Sequence, residues 1–370
     1  MPSILLISAS FGGGHHVAAQ RLAAGLERWG FQGEVVDLLD LLPGRLGPAL
    51  RRAYRAQLAI APGSWTWLCR AQEDPAAAER AAKIAALAAK RVRALCGPRT
   101  AAVVSTYPLA SQLLGGMRDR GELSVPTVSV LTDLSVHPLW IHRSVDSHIV
   151  LHSVAAHAAR DLGAQDVMIG GPIVPSAFHP ATPAEKDEAR ASFGLPADGP
   201  VALVVGGSWG VGQIRRSASD IQRFTGIAPA VACGRNRTAR LRLAATKTGI
   251  PLGWVDDMPR LLRAADVVIQ SGGGLTAQEA VVSGVPVLTY RPLPGHGYAN
   301  AAALQAAGWA PWIHTRRLLA SAVASALTER PAPTSHGDPA ALIASIASGT
   351  HATAWAASPS PERPAAPTSP

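Results

Sequence analysis

Residues 8–26 read SASFGGGHHVAAQRLAAGL, and the apolar run ILLIS just before them gives the order strand, glycine turn, helix. Glycines at the carboxyl end of a first strand remove Cβ atoms where a substrate must approach the backbone, and the helix behind them presents its positive end. The order resembles a dinucleotide fingerprint, but the spacing is GGGH rather than GxGxxG. Asp37 ends the next strand, yet no acidic residue about 20 positions on stands in a convincing ribose-binding place. This geometry would hold His15 at the mouth of a cleft; alternatively, His15 and His16 merely cap the helix.

The same rhythm runs through the chain. GEVVDLL, AAVVS, PTVSVLTD and SHIVL alternate with alanine-rich helical stretches, and the pattern restarts at VALVVGGSWGVG, to be followed by AVACGRN, IPLGWVDD, ADVVIQSGGGLTAQEAVVSG and PVLTYRP. With 370 residues, the chain is also longer than a single core usually grows. We therefore expect an α/β protein of two doubly wound, Rossmann-like domains facing a cleft. The expected boundaries are residues 1–175, a linker over 176–200, residues 201–330, and a largely disordered Pro/Ala/Ser-rich tail over 331–370.

Composition narrows the function. Cys69, Cys96 and Cys233 are far apart with no CxxC pair, which argues against a disulfide framework or zinc knuckle and fits a reducing cytoplasm. With no DxD triad and no His/Asp cluster, no metal and no cofactor is expected. PSILLIS lacks the features of a leader, and no apolar run reaches the roughly 18 residues a membrane span needs. The net charge of +9 points to an anionic partner, and 5% aromatics without basic interleaving make nucleic acid the weakest candidate. Arg45, Arg51, Arg52 and Arg55 lie among leucines and precede Trp65 and Trp67. Such a segment suits the anionic inner face of a membrane, or it is a packed helix with a solvated basic face.

Two further glycine loops end strands in the second half: Gly207 with Ser208, and Gly273 and Gly274 with Thr276. Their backbone amides could clasp a diphosphate. Glu279, in the helix that follows, suits two ribose hydroxyls or simply faces the helix dipole. Asp133, His137 and Trp140 in TDLSVHPLWIH stand near a strand end facing the same cleft, where His137 either serves the reaction or is a structural partner of Asp133.

WVDDMPRLLRAADVVIQSGGGLTAQEAVVSGVPVL, followed by Asn300, resembles the nucleotide-sugar half of the glycosyltransferase that adds N-acetylglucosamine to the lipid-linked peptidoglycan precursor. SASFGGGH, TYP, LTDLSVHPLW, GGPIVPSAF and CGRN, in this order, resemble the monogalactosyldiacylglycerol synthases and processive diacylglycerol glucosyltransferases. The resemblance implies the two-domain glycosyltransferase B architecture and inverting transfer of a hexose-type sugar from a UDP-sugar to a lipid or lipid-linked hydroxyl, by a cytoplasmic enzyme peripherally bound to the inner membrane face. Carried over by position, His15 is the general base, and Gly13, Gly14, Asp133, His137 and Trp140 are on the acceptor side. Gly207, Ser208, Arg235, Val255, Gly273, Gly274, Thr276, Glu279, His296 and Asn300 hold the nucleotide sugar. Two positions depart from the pattern: Val174 stands where relatives carry a basic residue, and His296 and Gly297 stand where they favour glutamine or acidic residues. A UDP-sugar 2-epimerase-like enzyme and a catalytically silent lipid- or nucleotide-sugar-binding protein are the alternatives.

Overall fold

The computed structural model describes residues 1–10, 13–60, 75–329, 334–335 and 337–350. Two six-stranded sheets form. The first comprises β1 (Ser3–Ser8), β2 (Gln32–Asp37), β3 (Thr100–Ser105), β4 (Thr127–Val130), β5 (Ser147–Val150) and β6 (Val167–Ile169). The second comprises β7 (Ala202–Val205), β8 (Ala230–Ala232), β9 (Ile250–Leu252), β10 (Val267–Gln270), β11 (Val287–Tyr290) and β12 (Trp312–Ile313). Their orders are β2-β1-β3-β4-β5-β6 and β12-β11-β10-β7-β8-β9, with every pairing parallel. Both sheets are doubly wound, as expected from strands that read as continuous apolar runs because helices cover both faces.

Each sheet reverses its winding once, between β1 and β3 and between β7 and β10, and the loops beyond those strands open a crevice there. GGGHH follows β1, GGS follows β7 and SGGG follows β10, so all three glycine loops stand at the two reversals. One buried apolar cluster runs from Ile4 and Leu22 through Ile173 and Phe178 to Leu262 and Val287, joining the halves.

Two expectations about the connections are corrected. Residues 176–200 are not a free linker: helix Pro183–Ser192 starts with a capping box between Thr182 and Glu185 and packs on helix Met258–Ala264. Arg190, 5% exposed, pairs with Asp266 at 2.6 Å, and Lys186 pairs with the same carboxylate. Nor does the tail begin at 331. Pro339–Ala347 is a helix capped by Asp338 and laid on helix Gly14–Glu27, so close that a Cβ on Gly25 would stand 2.9 Å from that of Ala340. Ala340, Ile343 and Ala344 form its buried stripe at helical spacing, which the surrounding Pro/Ala/Ser composition disguises. The remaining tail, 351–370, lies outside the described residues.

The chain therefore crosses between the halves twice, after β6 and again before Asp338, and the crossings touch. Gly171 has φ +75°, and a Cβ there would lie 2.7 Å from the Cα of Gly337. A Cβ on Gly337 would in turn run into the carbonyl of Gly170.

Candidate active site

The crevice holds a cavity of about 600 Å³ lined from both halves. Gly13, Gly14, Val17 and Arg21 contribute one wall, and spacings of three and four along helix Gly14–Glu27 place the last three on one face. Gly207, Ser208, Gly273, Gly274 and Thr276 contribute the opposite wall. The loops meet: a Cβ on Gly13 would stand 2.6 Å from Ser208 Oγ, so a side chain there would force the Ser208 hydroxyl to turn away. Helix Leu275–Val282 begins directly behind Gly274, and its free N–H groups point toward the same wall.

Beside this cavity stands a group of titratable side chains. His15 Nδ1 lies 3.0 Å from Thr132 Oγ1, and the His15 carbonyl accepts from Thr106 Oγ1 at 3.1 Å. The ring is edge-on to Tyr107 at 5.1 Å, with Trp140 at 5.9 Å. Burial lowers the His15 pKa, with Asp133 opposing and His296 adding to the effect, so the imidazole is neutral at pH 7. Across the crevice His296 Nε2 is 3.4 Å from Asp133 Oδ2. Burial alone would depress His296, but its contact with Asp133 outweighs that and raises its pKa. Burial would raise Asp133, and the three surrounding imidazoles more than reverse it. His137 is pushed down to about 4 by burial first, then by His296.

The structure gathers most of the expected residues here and redistributes several. Val255 and His296 line the cavity together with the glycine loops and Glu279. His15, Asp133 and His137 stand next to it, behind Gly14 and His296. Trp140, expected at the acceptor, is 1% exposed and packs behind His15, because Gln112 ties the turn Pro138–Trp140 down through Leu139 O and Ile141 O. Asn300, expected on the donor, is also corrected: it is buried, accepts from Ser135 N at 3.2 Å and donates to Gly272 O at 3.0 Å, leaving its amide committed to backbone. Arg235 lies with its guanidinium 4.5 Å from the Trp254 ring centroid. Glu279 is 6% exposed and paired with Arg21 at 2.5 Å; burial raises its pKa and Arg21 opposes the rise. His16 is tied to β1 through Ser8 Oγ at 3.0 Å, a structural placement.

Arg21, Trp254 and Gln278 were not anticipated. The Gly14, Val17, Arg21 stripe was the available signal for the first, and a tryptophan just past the end of β9 for the second. Gln278 gave none, since its partners Ile173 N and Thr132 O are more than 100 positions away in sequence. The basic helix Leu46–Ile60 is corrected in part. Arg51 turns inward to Asp37 and Asp40, both at 3.0 Å, and to Ser10 Oγ at 2.7 Å, while Arg45 and Arg52 stay exposed. The side chain of Arg55, and Trp65 and Trp67, lie outside the described residues. Among those described, no helix is long and apolar enough to cross a membrane.

Comparison with known proteins matches both halves. Residues 15–171 match the family described as monogalactosyldiacylglycerol (MGDG) synthase, and residues 201–341 match the glycosyltransferase family 28 C-terminal domain. Processive diacylglycerol beta-glucosyltransferase of Bacillus thuringiensis strain Al Hakam is 25% identical over 310 residues, 81% of this chain and 79% of that one. Among solved structures, MurG of Acinetobacter baumannii is 16% identical with a TM-score of 0.51, covering 94% of each chain. Anabaena Alr3699/HepE, solved in complex with UDP-glucose, is 15% identical with a TM-score of 0.55, covering 96% of this chain and 100% of its own. At these identities the likeness to solved structures establishes the fold, the two-domain glycosyltransferase B architecture.

Proposed function

The chain is a glycosyltransferase that joins an MGDG synthase-type half to a family 28 C-terminal domain, and we propose that it moves a hexose from a UDP-sugar to a hydroxyl of diacylglycerol or a similar lipid, with inversion. The observation that carries this reading is His15: a neutral imidazole held through Nδ1 by Thr132, at the winding reversal of one sheet, beside the cavity that the glycine loops of the other line. A neutral ring held at one nitrogen can take the acceptor hydroxyl's proton at the other as the oxygen attacks the anomeric carbon. On the opposite face of the sugar, the departing UDP meets the amides of Gly207, Ser208 and Gly274 and the start of helix Leu275–Val282, while Gln270 Oε1 accepts from Gly272 N and Gly273 N and so holds the shape of the second loop. These fixed dipoles offset the charge that develops on the diphosphate without a resident metal. The name of the diacylglycerol glucosyltransferase relative supports a lipid acceptor, and the exposed Arg45 and Arg52 support contact with an anionic leaflet.

The test is incubation of the purified protein with separate UDP-sugars and diacylglycerol in mixed micelles, following UDP release and new glycolipid. Parent protein should form a β-linked product if the donor is α-linked, and His15→Ala should lose about two to four orders of magnitude in turnover, the usual worth of a general base. A His15→Ala protein as fast as the parent, or an α-linked product, would remove the mechanism.

A further inference from the structure

Four titratable groups meet where the halves touch, and they carry few compensating charges. Asp133 lies beyond β4, His137 just before the turn Pro138–Trp140, His15 beyond β1, and His296 opens helix His296–Ala306 of the other half. Tyr107, edge-on to His15 at 5.1 Å, is a further titratable neighbour. Among the described residues, Asp133 is the only carboxylate acting on His15, and its Oδ2 is 3.4 Å from His296 Nε2. The His137 and His296 rings are perpendicular with centroids 6.4 Å apart. One carboxylate among three imidazoles favours a single proton, and the shortest contact places it on His296.

We infer that Asp133 and His296 form an ion pair across the crevice that keeps the Asp133 carboxylate from drawing a proton onto His15, so that the meeting of the two halves favours the neutral base. This rests on His15 being the base of the proposed transfer. With the halves apart, Asp133 faces His15 without His296 and stabilises a proton on it. With the halves together, the imidazolium of His296 takes up that charge. The charges act in these directions: the Asp133 carboxylate raises the His15 pKa and the His296 imidazolium lowers it. His296 is thus a positioning residue for charge, acting through Asp133.

The experiment is an NMR titration of histidine-labelled full-length protein, with the His15 signal assigned by its loss in His15→Gln. In His296→Gln the His15 midpoint should rise by about one pH unit, the size expected for exposing an imidazole to one nearby carboxylate. In Asp133→Asn it should fall, and adding His296→Gln to Asp133→Asn should produce no rise, because the two effects are coupled through one contact. His296→Arg, which keeps a cation opposite Asp133, should leave the midpoint where the parent has it and guards against loss of folding in the glutamine variant. The acid limb of kcat/KM against pH should move with the NMR midpoint. A His15 midpoint that ignores His296→Gln, or that rises as far in the Asp133→Asn background, overturns the inference. Since the titration needs no turnover, protein that makes no product from any UDP-sugar would refute the functional reading without affecting this result.

Discussion

His148, in the middle of β5, is 0% exposed, and neither ring nitrogen has a hydrogen-bond partner among the described residues. Burial pushes it down to about 4, against the attraction of Asp166 and with the help of His142. The folded chain therefore refuses a proton that the unfolded chain accepts at its ordinary 6.5. Stability is complete above that value, falls as the pH drops, and is lower by about 3 kcal/mol once both states are protonated. His137 acts in the same direction, so His148→Leu should flatten a plot of Tm against pH between 6.5 and about 4 without levelling it. Arg21 and Glu279 make the second sensitive point. Arg21→Met strands a buried carboxyl group and should cost about 3–5 kcal/mol in urea unfolding, part of it regained by adding Glu279→Gln. Neither feature was readable beforehand: a histidine in a strand gives no sign of whether its nitrogens find partners, and Arg21 meets a carboxylate 258 positions away.

Helix Pro339–Ala347 shows how composition can hide an element. Its Ile343 is 0% exposed, although it sits within a stretch whose prolines, alanines and serines read as unpacked chain. Ile343→Ala should cost about 2–5 kcal/mol, the price of an unfilled buried site, and thermal unfolding should show it as a lower Tm. The glycine loops were legible for the opposite reason. A strand that ends in two or three glycines before a helix has few other uses, and the three loops of this chain fall at the two winding reversals. What the loops touch was not legible, because the approach of Gly13 to Ser208 depends on how two separately wound sheets face each other.

Several polar contacts that join the two halves belong to the site. Gln278 donates from Nε2 to Thr132 O and accepts from Ile173 N through Oε1, both at 2.9 Å, and is 1% exposed. Gln278→Ala would leave a buried carbonyl and a buried N–H unpaired, each worth about 1–3 kcal/mol. The expected result is a larger radius of gyration in X-ray scattering and lower turnover, with each half still folded. Helix Leu275–Val282 thus holds the N-terminal half with two adjacent residues: Gln278 through backbone, and Glu279 through Arg21 at the wall of the cavity. The two chain crossings add a mechanical consequence. Because Gly170 and Gly171 lie against Gly337, the two connections meet the N-terminal half side by side. A swing about that line, like a book turning on its spine, would part the pages most where they are farthest from the binding.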